Sequence, residues 1–369
     1  MDFTPNAEER DVQSTVRAFV ETHLKPHEPM LLRREAEGGA AQLTREELRE
    51  VQLKGKASGL WGVDLPEEYG GVDFDAVLQV LCAIELGHTF VEFKFGGSPV
   101  PITDLSLLND TQRAEYVERV IEGGARVSLA MTEPHSGSDA RTIRTRAVRD
   151  GSDWIITGEK SWISYAPTAD LALVVAKTEG GDADAVTTFL VPRERGWTST
   201  KLPTMGTWPV GSISFDGVRV PDTDRVGEVG QGFGIAMAQL NKGRLVMGTA
   251  VNIGASERLL EMMVDFANER VTFGQPLAHR QLIQRYLVDS ELELRSAKML
   301  TLHAAAKMVA GEDVRHEVAV AKVAAARASN KIVDHAMQVH GATGSRWNCR
   351  CSAGTETYGW SGSGRGPTR

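Results

Sequence analysis

The chain has 369 residues, 41% hydrophobic and 24% charged, and a net charge of −8. This is the make-up of a globular protein of two or three domains, and its negative balance excludes the basic footprint of nucleic-acid binding. No stretch approaches the roughly 18–20 apolar residues of a membrane span, and Cys82 is the one cysteine outside the C-terminal tail, so there is no disulfide framework. The polar opening "MDFTPNAEERDVQ" has neither a secretory nor a transit signature. These features point to a cytoplasmic protein.

Residues 1–125 read as a helical domain. Val12, Val16, Phe19, Val20 and Leu24 fall at helical spacing, and Pro26 follows the last turn. Thr44 with Glu47 forms the pattern of a capping box. A further helix, "DAVLQVLCAIELGHT", makes Cys82 a small core residue. Residues 126–228 change texture. Asp150-Gly151 between two β-rich runs is a hairpin signal, and "LALVVAK", "VTTFLVP" and "SISFDGVRVP" are further short strands. An all-β domain built as a small barrel is expected. Residues 229–344 return to long helices rich in Ala and Gly, with Gly311 and Gly341 as stops. The expected fold class is therefore mainly α with a central β-barrel, the last zone forming a four-helix bundle.

Chemistry concentrates in "SLAMTEPHSGSDA", residues 128–140, where the first helical zone meets the β domain. Thr132 and Ser138 offer hydroxyls, Pro134 stiffens the loop, and Gly137 lets backbone approach a ligand closely. Such a loop suits a flat heteroaromatic carrying a phosphate. On its own residues it is equally a plain Ser/Gly connection between domains.

"AMTEPHSGSD" resembles the Thr-Glu-Pro-x-x-Gly-Ser-Asp signature of the acyl-CoA dehydrogenase family. "GEKSWIS" (158–164), "SISFDGVRVP…GEVGQGF", "ERVTFGQPL" (269–277) and "QVHGATG" (338–344) resemble further family segments in the same order. The resemblance covers about residues 1–344. It implies an N-terminal α domain, a β-barrel and a C-terminal four-helix bundle. It also implies FAD as cofactor, acyl-CoA as substrate, 2-enoyl-CoA as product and an electron-transfer flavoprotein as electron acceptor. A homotetramer or homodimer is implied as well.

The resemblance also implies roles for single residues. Leu129, Met131, Thr132, Gly137 and Ser138 line the flavin, and Ser138 reaches its pyrophosphate or the substrate's pantetheine. Trp162 packs on the ring and Ser164 hydrogen-bonds nearby. Arg270, Phe273 and Gln281, with Gln338 and Gly341, serve an FAD bound in a neighbouring subunit. Asn241 and Arg244 lie where the family contacts substrate. Read without the resemblance, Trp162 is a strand-end core aromatic, Arg270 a solvated cation at a helix end and Arg244 a buried structural arginine. A same-superfamily flavin oxidase or reductase and a non-catalytic flavin- or CoA-binding protein are the alternatives.

The catalytic base is not assigned. One branch of the family carries it as a Glu just before the arginine matching Arg244, where this chain has Gly243. Other branches carry it in a C-terminal arm, which here corresponds to the atypical tail 345–369. The tail's lone Cys349-x-Cys351 lacks the partner pair of a zinc site. Its codons are compatible with a shifted frame. Trp347-Asn348-Cys349, read from the last base of the Trp codon, gives Glu-Leu, and later residues allow an Arg-Asp-x-Arg run like the family's arm. Two readings of the tail stand: a disordered extension, which its Gly and Ser suit and Trp347 and Trp360 do not, and a segment translated out of frame.

Overall fold

A computed structural model describes residues 5–96, 102, 104–178, 185–204 and 209–345. The tail's cysteines and tryptophans lie outside the described residues. The helices are α1 (Ala7–Phe19), α2 (Glu28–Ala36), α3 (Arg45–Ala57), α4 (Ala76–Leu86), α5 (Asp110–Tyr116), α6 (Gly232–Leu245), α7 (Val251–Glu269), α8 (Gln281–Val309) and α9 (Arg315–His340). The main sheet comprises β1 (Val127–Ala130), β2 (Arg146–Asp150), β3 (Asp153–Ser164), β4 (Leu171–Thr178), β5 (Val186–Pro192), β6 (Thr198–Leu202), β7 (Val210–Pro221) and β8 (Arg225–Val226). A small hairpin pairs β9 (Val271–Thr272) with β10 (Gln275–Pro276). Among the described residues no helix is long and apolar enough to cross a membrane.

The chain divides into two compact units. One holds residues 5–64, 72–95 and 243–345; the other holds 65–71 and 96–242. In the helical unit, Thr44 accepts the Glu47 amide while the Glu47 carboxylate accepts the Thr44 amide, so the capping box read from sequence forms in both directions. Gly311 follows α8 at φ 72°, the left-handed conformation of a helix stop. Cys82 is buried, and burial pushes its thiol up to about 12.

The four packed helices of the bundle are α4, α7, α8 and α9. Val80 and Ile84 of α4 share one core with Ile253 and Met263 of α7, Leu294 of α8 and Ile332 of α9. Helix α4 of the N-terminal zone thus packs into the core of the C-terminal helices. Two glycines make room for it. A Cβ at Gly254 would lie 1.8 Å from the Ile84 carbonyl oxygen, and one at Gly87 would lie 2.3 Å from that of Val251. Both neighbours are backbone and cannot swing aside. Gly254→Ala is therefore expected to destabilise the fold by about 1–3 kcal/mol or more, since overpacking forces backbone shifts. The check is the urea midpoint, and a wild-type midpoint would contradict the close approach.

Charges bind the same unit together. Arg258 on α7 donates to both oxygens of Glu28 on α2, at 2.6 and 2.7 Å, and also to the His88 carbonyl at 3.0 Å. Thr89 donates to Glu28 at 2.8 Å. The Glu28 and Arg258 side chains are 1% and 8% exposed, so this pair is desolvated on both sides.

The other unit is a sheet of order β6-β7-β3-β2-β4-β5-β8, with β1 pairing parallel to β4. Its end strands β6 and β8 share no ladder among the described residues. The expected hairpin is present: β2 pairs antiparallel with β3 around Gly151, whose φ is 65°. Trp154, Phe189, Val191, Ile213 and Phe215 from three strands fill one interior, so the sheet wraps one main core. A second, smaller core holds Met131, Ile143 and Val175 against Ala236 of α6. The start of α6 is fixed on β5, where Thr188 donates to the Gly232 carbonyl at 3.2 Å.

Candidate flavin site

The loop after β1 is held at its base by one carboxylate. Glu133 accepts the amides of Arg144 (2.6 Å) and Thr145 (2.9 Å) and the Lys160 ammonium (2.8 Å). Lys160, on β3, also donates to the Met131 carbonyl at 3.0 Å. The next amide, of Ser161, donates to the Thr132 carbonyl at 2.8 Å. The Lys160 and Glu133 side chains are 0% and 1% exposed. Beyond them a tight turn exchanges Glu133 and Ser136 backbone hydrogen bonds, and Ser136 donates its hydroxyl to the Asp139 carbonyl. The loop is thus rigid although its tip is in solvent.

These bonds fix what the loop presents. The hydroxyls of Thr132, Ser138 and Ser164 and the amides of Gly137 and Ser138 have no hydrogen-bond partner among the described residues. A register shift in the β3–β7 ladder between Lys160 and Ile163 spans Trp162. Its φ of 61° is unusual for a bulky residue, and its side chain is 59% exposed. It is not the strand-end core aromatic that an isolated reading of the strand allows. Met131 turns inward with Leu129 to pack on α6, so what it can offer a ligand is backbone. Free donors beside an outward indole fit a flat heteroaromatic that carries phosphates.

Burial shifts both charges of the pair. Desolvation dominates at Lys160 and, against the raising effect of Glu133, lowers it to about 8 from the ordinary 10.5. Glu133 lies below the usual carboxylate range: desolvation raises it, but its hydrogen bonds from Lys160 and backbone amides outweigh that. Between about pH 8 and 10.5 the unfolded chain therefore binds the lysine proton that the folded one has released, and stability rises with pH on this account. Cys82 acts oppositely: its folded value of about 12, against 9.0 ordinarily, makes stability fall as pH rises beyond 9.0. The wild-type minus Lys160→Met difference in unfolding free energy, measured by denaturant at several pH values, is expected to rise through this window. A flat difference would contradict the shift.

The remaining candidates divide between the units. Asn241 lies on α6 one residue after Leu240, which packs with the loop's small core. Arg244 lies on the same helix beyond the unit boundary; it is exposed, so it is not a buried structural arginine. Arg270 follows α7 with its amide bonded to the Phe266 carbonyl, and its guanidinium has no partner among the described residues. Phe266 stacks on His340, which precedes Gly341, so Arg270 and Gly341 lie at one end of the bundle. Phe273 is 97% exposed at φ 51°, with the Arg280 guanidinium over its ring. Gln281 opens α8, Gln338 lies in the last turn of α9, and both are exposed.

Family models match the whole succession: the acyl-CoA dehydrogenase N-terminal domain at residues 6–124, the middle domain at 128–218 and the C-terminal domain at 230–357. (R)-Benzylsuccinyl-CoA dehydrogenase of Thauera aromatica is 31% identical over 93% of this chain and 88% of its own. The chain belongs to the acyl-CoA dehydrogenase family. It is an oxidoreductase of that family, and FAD is the family's cofactor. A 3-(aryl)acrylate reductase of Clostridium sporogenes is 32% identical over 82% of each chain. A glutaryl-CoA dehydrogenase of Mycobacterium smegmatis, solved in complex with FADH2, matches with a TM-score of 0.85 at 26% identity, covering 97% of this chain and 90% of that one.

Glu133 and Lys160 lie within the family segments, but sequence reasoning gave them no role. A signal was available: Lys160 falls in phase with the inward residues Trp154 and Ile156 along β3.

Proposed function

We propose that the protein binds FAD against the Leu129–Ser138 loop and Trp162, and oxidises an acyl-CoA thioester to the 2-enoyl-CoA. Electrons then pass to an electron-transfer flavoprotein. The observation that carries this reading is the braced loop, whose Thr132 carbonyl is bonded to the residue before the outward Trp162 and whose Thr132 and Ser138 hydroxyls have no partner among the described residues. When bound, FAD supplies a two-electron acceptor for hydride from the substrate's β-carbon. Thr132 and Ser164 donate to ring acceptors, Ser138 and the Gly137 amide to phosphate oxygens, and Trp162 shields the ring from water. Asn241 and Arg244 contact the CoA thioester.

The protein works as a homotetramer or homodimer in this reading. Arg270, Phe273, Gln281, Gln338 and Gly341 reach the FAD of a neighbouring subunit. The exposure of Phe273 and the free Arg270 guanidinium support it, a guanidinium being well matched to a diphosphate.

The test is anaerobic addition of a panel of acyl-CoAs to the purified yellow protein, with bleaching of the flavin as the expected result. Failure to take up FAD on reconstitution would defeat the flavin assignment. Colour without bleaching by any acyl-CoA would favour a binding protein. A second reading, a reductase running the same hydride chemistry in reverse, is favoured by the 32% identity to the 3-(aryl)acrylate reductase. Reoxidation of the dithionite-reduced protein by 2-enoyl-CoA or by a free arylacrylate distinguishes its substrates.

A further inference from the structure

We propose that Lys160 and Glu133 are positioning residues for the flavin, setting the conformation and register of the loop that faces it. This rests on the reading that FAD binds against that loop. The pair does more than fill a core. Glu133 closes a chain segment on itself by holding the Arg144 and Thr145 amides, so residues 133 to 144 begin and end at one carboxylate. Lys160 takes the Met131 carbonyl, and the adjoining Ser161 amide takes the Thr132 carbonyl. Both carbonyls of the dipeptide are thereby turned toward β3. Trp162 follows Ser161 directly, so the same contacts fix the spacing from the Thr132 hydroxyl to the indole. Apolar side chains in place of the pair could fill its volume but could bind none of these backbone groups.

Stability and positioning therefore come apart. Replacing a buried ion pair by apolar residues of similar volume is often neutral or stabilising, whereas removing one partner strands a charge. The experiment compares apoprotein of wild type, Lys160→Met, Glu133→Gln, Lys160→Arg and the double variant Lys160→Met/Glu133→Met. Each is reconstituted with FAD, and its dissociation constant, its flavin absorption band shape and its melting temperature are recorded. The expected result is that both single variants bind FAD more weakly by about tenfold or more, with an altered band shape. Lys160→Arg retains part of the affinity. The double variant, which strands no charge, regains part of the melting temperature that the single variants lose, but not the affinity. Recovery of affinity together with stability in the double variant would reduce the pair to a structural one and overturn the proposal, as would single variants with wild-type affinity. If wild-type apoprotein takes up no FAD, the proposal falls together with the flavin assignment, a result plainly separate from a loss confined to the variants.

Discussion

Gly243→Glu is expected to raise the rate of flavin reduction by acyl-CoA about 10²–10⁴-fold, the usual contribution of a positioned general base. The thioester acidifies the neighbouring C–H, but a carboxylate must still take the proton. Gly243 lies in the last turn of α6, and the resemblance of the sequence implies that one branch of the family carries its base at this place. A Cβ built on Gly243 meets no atom within 4 Å, so a longer side chain enters open space. The substitution also replaces a poor helix former, worth about 0.5–1 kcal/mol. Stopped-flow reduction under anaerobic conditions measures the effect, and Gly243→Gln is the control that adds size without a base. Equal rates for the Glu and Gln variants, with FAD and acyl-CoA still bound, would show that position 243 does not reach the α-proton.

Arg258→Met should lower stability by about 3–5 kcal/mol, because it leaves the Glu28 carboxylate buried without its cation. The loss is larger than a surface pair could cause, since both side chains are nearly inaccessible and Arg258 also holds the His88 carbonyl. Denaturant unfolding gives the value, and Arg258→Met/Glu28→Leu separates the stranded charge from the lost contacts. The double variant should recover much of the stability. An unchanged midpoint for the single variant would mean that water reaches Glu28 and the pair is worth little.

Local signals carried much of the fold. The Thr44–Glu47 box, the Asp150-Gly151 turn and the Gly311 stop are each set by a few neighbouring residues, and each forms as read. The segments that resemble the family also contain the hydroxyls of Thr132, Ser138 and Ser164, unbonded among the described residues, because short motifs keep chemistry and backbone together. What depended on distant residues was less visible. Nothing near Gly87 announces that it must face Gly254, so the entry of α4 into the bundle could not be read from periodicity. The run from Gly234 to Val271 has helical spacing over many turns, yet Val246–Ala250 is a π-helical turn. There the Thr249 hydroxyl takes the Arg244 carbonyl at 2.7 Å, a side chain competing with the backbone ladder. The Lys160–Glu133 pair was hidden because a lysine in a strand is ordinarily solvated.

The joining of α4 to helices from the far end of the chain also orders events on the ribosome. The sheet unit is encoded by one nearly continuous stretch and can form as it emerges. The bundle cannot. With α4 ending at Leu86 and α9 at His340, synthesis at about 5–20 residues per second leaves α4 waiting roughly 13–50 s for its last partner. Until then Val80 and Ile84 lack part of the core they enter, and the nascent N-terminal segment leaves apolar surface for a chaperone to cover.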